Sequence, residues 1–256
     1  MENQNRPDRR TFLKGLSLGL VSLSLSGCDY LSGNKTFTRL LEKGEKLNRR
    51  IQKAIGPRAA MAKEYSEADI SPVFPVNGNS NPENPDYQRH LREGFKNWRL
   101  PVRGLVDNPL SLSIDEIRQY PSRTQITRLD CVEGWSAIGK WKGVKLGELL
   151  DRAKLRPGAR YVIFNCADSD EEGIYYYESI DLEDAFHPQT ILAYELNDQP
   201  LPVANGAPIR LRLERQLGYK MAKFVMEIEV SDRLDHLGKG RGGYWEDQGY
   251  EWYAGI

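Results

Sequence analysis

Cys131 lies where a thiol can do chemistry, because an alternating segment (residues 125–131) runs there into a glycine-containing turn. A thiolate at such a position can act as a nucleophile or as a ligand for a soft metal ion. A nucleophilic cysteine also needs a base, and nothing in the local sequence marks His90, His187 or His236 as that partner. The residue types alone therefore leave three interpretations open: a nucleophile, a metal ligand and an inert buried thiol.

The elements that must position this thiol alternate between strands and short helices. Ser113 has the sequence context of a capped helix start, and the apolar run at residues 161–166 is typical of a buried strand. The acidic run at residues 168–172 is predicted to be a solvated turn. The sequence predicts one α+β domain of mixed sheets, short helices and long loops, with strands over residues 100–106, 125–131, 161–166, 208–215 and 224–230, and helices after Ser113 and over residues 146–153.

Residues 64–98 are polar and rich in turn-forming residues, including those around Asn77. Ordering such a segment costs backbone entropy unless something organises it. It is therefore either a flexible linker or a loop that wraps a ligand.

Composition excludes several classes of protein. The 256 residues carry 36 basic and 36 acidic side chains, so the chain lacks the basic excess of nucleic-acid-binding proteins. No apolar run approaches the roughly 18 residues that a membrane-spanning helix needs. The cysteines at positions 28, 131 and 166 form no CxxC pair and no disulfide framework. We expect Cys166 to be a small core residue.

Residues 1–28 resemble a secretion signal. Arg9 and Arg10 precede a modest apolar stretch, as in twin-arginine signals, which direct folded proteins across a membrane. The stretch closes with LSGC, which is similar to the lipobox of bacterial lipoproteins and ends at Cys28. We therefore expect lipidation of Cys28 and a location on the periplasmic side of the inner membrane. The alternative is that Cys28 is removed with the signal.

Residues 29–64 are predicted to tether the domain that follows, residues 65–256. Eight basic and two acidic residues lie between positions 35 and 58, and apolar residues recur every three or four positions. That spacing places the apolar residues on one face of a helix, and Gly56-Pro57 ends the pattern. This basic helix would pack on the domain or lie against anionic lipid beside the anchor.

The thiol segment and four later motifs together resemble one enzyme family. The motifs are CVEGWS (131–136), WKGV (141–144), HPQT (187–190), NGAPIR (205–210) and GYKMAK (218–223). In kind and order they resemble the sulfite oxidase fold family of molybdopterin-dependent oxidoreductases, including its methionine sulfoxide reductase branch. The resemblance covers about residues 70–230.

The resemblance implies a molybdopterin-binding α+β fold with a molybdenum ion held by a pterin dithiolene, one cysteinate and oxo ligands. Cys131 matches the cysteinate, and a soft thiolate suits such a metal. Tyr176 matches the family's tyrosine near the oxo ligand. The family also implies a molybdopterin without a nucleotide.

Further residues are implied to hold the pterin and its phosphate. Arg210 matches the family's arginine, whose guanidinium suits bidentate contact with phosphate. Backbone NH groups of Gly218 and Tyr219 and the ammonium of Lys220 would face the same anion. The remaining matches are Asn77, Asn205 and Lys223.

These matches predict an exported enzyme that transfers an oxygen atom to or from a small sulfur or nitrogen oxo compound, with electrons from a haem- or quinone-linked membrane partner. Asn205 and the expectation of no C-terminal immunoglobulin-like domain favour sulfoxide reduction over sulfite oxidation. Two alternatives are a membrane-tethered cofactor-binding protein without turnover and a cofactor-free thiol enzyme that uses Cys131. The aromatic tail at residues 242–253 either closes the active site or packs on the domain edge.

Overall fold

The computed structural model describes residues 60–256 and, before them, Asn34, Thr36, Phe37 and Gly44. The chain divides into two compact units, Met1–Pro57 and Arg58–Ile256. The predicted secretion signal with Cys28 lies outside the described residues. Of the predicted tether, Thr36, Phe37 and Gly44 are helical, whereas residues 60–64 are not. Within the described part of the chain, no helix combines the length and apolar character needed to span a bilayer.

Two five-stranded sheets form the framework of residues 60–256. The first has the order β2-β1-β10-β5-β6, and the second has the order β3-β4-β7-β8 with β9 paired to β7. All pairings are antiparallel except that of β1 with β10. The strands are β1 (Leu100–Gly104), β2 (Leu110–Leu112), β3 (Ser122–Asp130), β4 (Ser136–Lys145), β5 (Tyr161–Ser169), β6 (Tyr175–Asp181), β7 (Ile191–Leu196), β8 (Gln199–Pro200), β9 (Arg210–Arg212) and β10 (Val225–Ser231).

Short helices with clear local signals connect these strands. Ser113 Oγ accepts the backbone NH of Glu116, and the Glu116 carboxylate accepts the NH of Ser113, which confirms the predicted capped start. The helix predicted over residues 146–153 is present with those bounds. The helices are α1 (Pro85–Arg92), α2 (Ile114–Arg118), α3 (Leu146–Ala153), α4 (Leu182–Ala185) and α5 (Tyr244–Asp247), with 3-10 turns at Glu67–Asp69, Val203–Asn205 and Gly218–Lys220.

The polar segment at residues 64–98 is an ordered part of the domain rather than a linker. The Asn84 side chain caps α1 by accepting the NH of Tyr87 at 3.0 Å, and Pro85 occupies the first turn. The buried Tyr87 hydroxyl then donates to the carbonyl of Ala207 at 2.8 Å. The segment is thereby fixed against the chain that leads into β9.

The segment predicted as a long alternating strand, residues 208–215, differs from expectation. Only Arg210–Arg212 is a strand, and its polar face is as buried as its aliphatic face. The polar face tolerates burial in part because Arg212 and Glu214 form a bidentate ion pair, with distances of 2.9 and 2.6 Å. Alternation alone cannot distinguish such a buried polar face from a solvated one.

Candidate active site

A cavity of about 260 Å³ opens at the ends of several of these elements. It lies between the end of β3, the loop at residues 77–79, the turn between β5 and β6, the Gly218–Lys220 turn and α5. Six of the residues predicted for the site line this cavity: Asn77, Cys131, Tyr176, Gly218, Tyr219 and Lys223.

Cys131 is held by the hairpin that joins β3 to β4. Asp130 pairs with Ser136 across the hairpin, so Cys131 begins the connecting turn. Its NH donates to the carbonyl of Trp135 at 2.9 Å, and its carbonyl accepts the NH of Gly134 at 3.1 Å. Gly134 has a φ of 90°, a conformation that glycine adopts without strain. The thiol is half-buried and free.

Burial raises the pKa of the Cys131 thiol, and the nearby charge of Glu133 adds to this effect. The Glu133 carboxylate is itself fixed by the indole NH of Trp135 at 3.0 Å. A raised pKa disfavours a free thiolate nucleophile at neutral pH, whereas a bound metal ion would take the thiolate directly. None of the histidines at positions 90, 187 and 236 lines the cavity, so no histidine is placed there to act as the base of a cofactor-free thiol enzyme.

Tyr176 is the one residue of the three-tyrosine run that lines the cavity. Its hydroxyl donates to the carbonyl of Tyr219, which joins β6 to the Gly218–Lys220 turn. Burial raises the pKa of Tyr176 well above the usual value, and the charges of Glu178 and Glu246 raise it further. The phenol therefore stays protonated. The side chain of Tyr175 is exposed and does not line the cavity.

Lys223 fixes the loop that carries Asn77. Its ammonium donates to the carbonyls of Asn77 and Asn79 at 2.7 and 2.6 Å. Burial and the charge of Arg210 lower the pKa of Lys223 to about 7, against a partly opposing effect of Asp168. A bound anion would restore its positive charge.

Arg210 is a buried cation without an ion pair to any described carboxylate. Its Nη1 donates to the carbonyl of Asn205 at 3.1 Å and its Nη2 to that of Met221 at 3.3 Å. Burial and the charge of Arg212 lower its pKa to about 9. Arg212, in contrast, is neutralised by Glu214. Because buried charges in proteins are normally paired, we expect Arg210 to bind an anionic ligand.

Several predicted cofactor-binding residues carry buried polar atoms that lack a partner in the part of the chain that the structure describes. Arg210 Nε, Asn205 Nδ2 and Asn77 Oδ1 are buried without a hydrogen-bond partner among the described residues. Gly206 packs closely between two of the cations, since a Cβ there would lie 3.1 Å from Arg210 Cβ and 3.2 Å from Lys223 Cβ. A guanidinium, an amide NH₂, an ammonium and an amide carbonyl together fit a phosphate with an attached polar ring. The residues present thus fit molybdopterin, although Arg210 and Asn205 are not among the residues that line the cavity.

The ammonium of Lys220 does not face the cavity, contrary to the prediction that it binds the pterin phosphate. It is fully buried and donates to Glu178, to Glu246 at 2.5 Å and to the carbonyl of Ser179 at 3.1 Å. With two carboxylates and a carbonyl around it, this ammonium has no donor left for a phosphate. In the Gly218–Lys220 turn, it is Gly218 and Tyr219 that reach the cavity.

Two groups of lining residues are not among the predicted site residues, although one of the two alternatives for the aromatic tail placed it at the active site. Asp168 and Asp170 belong to the run that we predicted to be solvated, yet both line the cavity. Burial raises the pKa of Asp168 to about 6, and Lys223 partly opposes the shift. The second group is Tyr244 and Trp245 of the aromatic tail, which therefore forms a wall of the cavity. The apolar run before Asp168 was the signal that its strand is buried.

Comparisons with known proteins identify the family of this chain. Residues 88–236 match the family described as the oxidoreductase molybdopterin binding domain. The chain is 37% identical over 251 residues to the putative protein-methionine-sulfoxide reductase subunit YedZ1 of Azospira oryzae, covering 97% of this chain and 88% of that protein. It is 37% identical over 147 residues to the protein-methionine-sulfoxide reductase catalytic subunit MsrP of Xanthomonas axonopodis pv. citri, covering 54% of this chain and 46% of that protein.

The chain thus spans about half the length of the MsrP relative. A solved structure, the sulfane dehydrogenase SoxCD from Paracoccus pantotrophus, matches with a TM-score of 0.49 and 22% identity over 54% of this chain and 39% of that one. The family match and the extended identity to the Azospira relative decide the assignment. This protein belongs to the molybdopterin-binding oxidoreductases and is an enzyme with the sulfite oxidase-like α+β fold expected from its sequence.

Proposed function

We propose that this enzyme reduces methionine sulfoxide carried by proteins. The observation that carries the proposal is the Cys131 thiol in a cavity beside the unpaired cation Arg210, because together they fit a molybdenum ion and the phosphate of its pterin. The names of the relatives support the reaction. They favour a protein-bound substrate over the free small oxo compound expected from the sequence.

The charges that line the cavity favour a neutral sulfoxide over sulfite. Among the described lining residues, Lys223 is basic, Glu133, Asp168 and Asp170 are acidic, and none is an arginine. Lys223 is already engaged by two carbonyls. A dianion such as sulfite would face repulsion there, whereas an uncharged sulfoxide would not.

Each residue has a distinct proposed role. Cys131 would hold molybdenum through its thiolate, while Arg210, Lys223, Asn77 and Asn205 would hold the pterin and phosphate together with the backbone of Gly218 and Tyr219. When bound, the cofactor supplies and accepts the electrons of oxygen-atom transfer. The proposal that the molybdopterin carries no nucleotide rests on the family resemblance alone.

Reduction of a sulfoxide consumes two electrons and two protons and releases a sulfide and one water. Asp168, with a pKa of about 6, can hold a proton in the cavity near neutral pH. The Tyr176 hydroxyl is committed to the Tyr219 carbonyl, so it would orient the wall of the site rather than release its proton.

We further propose that the enzyme is exported folded, lipid-anchored at Cys28 on the periplasmic side of the inner membrane, and reduced by a haem- or quinone-linked membrane partner. The twin-arginine sequence and the LSGC motif support this location. Labelling of cells with a radioactive fatty acid tests it. Label on the wild type and none on Cys28→Ser is the expected result.

The enzymatic proposal is tested on protein made with its export signal in a host that synthesises molybdopterin. Molybdenum, pterin and nucleotide content per chain are measured first. Reduced viologen dye is then supplied with a methionine sulfoxide peptide, and an oxidised dye with sulfite. Stoichiometric molybdenum and peptide reduction are expected. Bound cofactor without turnover of either compound would favour the binding protein, and faster sulfite oxidation would contradict the proposed direction.

A further inference from the structure

Part of the cavity wall comes from a segment outside the matched family region. The family match ends at residue 236, whereas Tyr244 and Trp245, which line the cavity, belong to α5 near the C-terminus. This wall is therefore formed by a part of the chain that lies beyond the matched region.

The short helix α5 has two buried acidic residues that hold it in place and two aromatic residues that line the cavity. Its last two, Glu246 and Asp247, are buried acids that anchor it. Glu246 accepts the ammonium of Lys220 at 2.5 Å, and Asp247 accepts the NH groups of Lys239 at 2.7 Å and Arg241 at 3.1 Å. Its first two residues, Tyr244 and Trp245, are thereby presented to the cavity as a fixed surface.

The two aromatic rings are also fixed against each other and their neighbours. The rings of Tyr244 and Trp245 pack edge to face with centroids 5.3 Å apart, and Trp245 contacts Tyr250 at 5.2 Å. Tyr244 packs against Tyr176 at 5.8 Å and donates its hydroxyl to Asp170 at 2.8 Å. The wall is therefore preorganised, which lowers the entropy lost when a ligand binds.

Trp245 nevertheless keeps 38% of its surface exposed at the cavity. Val132 and Ile174, which also line the cavity, are 46% and 44% exposed. Large apolar side chains exposed together around a cavity are typical of a binding surface. The lining acids Glu133 and Asp170 add negative charge to this apolar rim.

We propose that Trp245 determines substrate specificity by contacting the apolar arm of a methionine sulfoxide within a polypeptide. Aromatic rings make favourable contacts with sulfur-bearing side chains, and the arm's methylene groups gain from burial against the indole. Free methionine sulfoxide carries an ammonium and a carboxylate that would lose water beside this apolar rim, whereas the peptide groups of a polypeptide are uncharged. This inference rests on the proposed sulfoxide reduction and assigns a residue of this chain to its substrate selection.

The test compares Trp245→Ala and Trp245→Phe with Tyr175→Ala. Tyr175 is also an exposed aromatic residue, but it does not line the cavity. Binding of a dye-labelled peptide with one methionine sulfoxide to the oxidised holoenzyme is measured by fluorescence anisotropy. Steady-state kinetics are measured for that peptide, for free methionine sulfoxide and for dimethyl sulfoxide, which has no arm.

For Trp245→Ala we expect peptide Kd and KM to rise about tenfold, and the ratio of kcat/KM for peptide to that for dimethyl sulfoxide to fall about tenfold. In Trp245→Phe the ratio of kcat/KM for peptide to that for dimethyl sulfoxide should stay close to the wild-type value, and in Tyr175→Ala it should be unchanged. An unchanged ratio in Trp245→Ala and Trp245→Phe would overturn the inference, as would equal wild-type preference for free and peptide-bound methionine sulfoxide.

The two proposals fail separately in this design. Wild-type enzyme that binds the peptide through Trp245 but reduces no sulfoxide contradicts the proposed function and leaves the binding role standing. Wild-type enzyme that reduces the peptide, with the same peptide Kd and kcat/KM ratio in Trp245→Ala and Trp245→Phe, contradicts the role of Trp245 alone.

Discussion

The ammonium of Lys220 lies 2.5 Å from Oε1 of Glu246, so a buried ion pair ties the turn beside the cavity to the C-terminal helix α5. Glu178 accepts a second hydrogen bond from the same ammonium. Two carboxylates face one ammonium, and burial together with the charge of Glu246 raises the pKa of Glu178 well above its usual value. Glu178 is therefore the carboxyl that we expect to hold a proton.

This arrangement predicts a strongly non-additive pair of substitutions. Glu178→Gln and Glu246→Gln should each change the free energy of unfolding little at neutral pH, because the remaining carboxylate still neutralises Lys220. The double variant leaves a buried ammonium without an anion and should lose about 3–5 kcal/mol. Urea unfolding of all three variants measures this. A double variant whose loss equals the sum of the singles would contradict the shared ion pair.

Arg210 and Arg212 provide a matched comparison on one strand. Both are fully buried and both contact the ring of Trp141, but Glu214 pairs with Arg212 alone. In cofactor-free protein, Arg212→Met should cost about 3–5 kcal/mol because it leaves Glu214 unpaired, whereas Arg210→Met should cost about 1 kcal/mol or less.

Cofactor retention should show the opposite ranking, with Arg210→Met more affected than Arg212→Met. Molybdenum and pterin content of proteins made in a competent host should fall most in Arg210→Met, because the phosphate loses its guanidinium. Urea midpoints and metal analysis on the same preparations check both halves. Full cofactor content in Arg210→Met would show that Arg210 is not the phosphate ligand.

The sequence predicts features that depend on neighbours along the chain. The capped start of α2 involves Ser113 and Glu116, three residues apart, and the position of Cys131 follows from the strand before it. Because these patterns are stabilised by residues close in sequence, the local structure can be predicted without knowing the fold. The same holds for α3, whose apolar residues recur at helical spacing.

Long-range pairing could not be predicted in the same way. Lys220 meets Glu178 and Glu246, which lie 42 and 26 residues away in sequence, and nothing local distinguishes its ammonium from one that faces a phosphate. Asp168 likewise lines the cavity together with Asn77 and Lys223, which lie far from it in sequence. Motif resemblance pointed to the turn that borders the cavity, and only the fold shows which of its residues line it.

Cys131→Ser is predicted to lose molybdenum, because a hydroxyl is a much poorer ligand than a thiolate for a soft metal ion. Cys166→Ala is the control, since Cys166 is a buried free thiol that does not line the cavity. Metal analysis should show retention in the control and loss in Cys131→Ser. Alkylation adds a second readout: Cys131 should resist the reagent in the loaded enzyme and react after the cofactor is stripped. Rapid alkylation of the loaded enzyme at Cys131 would favour a free thiol.

Asp168 makes stability depend on pH in a direction that the structure fixes. Its pKa rises from 3.8 to about 6 on folding, so the folded protein binds more protons than the unfolded chain between these values. Its contribution to stability is present below pH 4 and is lost as pH rises to about 6. Asp168→Asn has no carboxyl to ionise and so avoids this loss of stability. The cofactor-free variant should therefore have a free energy of unfolding about 1–3 kcal/mol above that of cofactor-free wild type above pH 6.

Asp170→Asn is the matched control, because the hydrogen bond from Tyr244 lowers the pKa of Asp170. Its carboxylate contributes stability that is present above the unfolded pKa and is lost as pH falls, so the substitution should destabilise the protein at neutral pH. Urea unfolding from pH 5 to pH 8 should therefore show Asp168→Asn gaining stability relative to wild type as pH rises past about 6, whereas the deficit of Asp170→Asn stays constant, since its carboxylate is ionised throughout this range. A difference for Asp168→Asn that stays constant over this range would show that its carboxyl is already ionised at pH 5 and is not held protonated by burial.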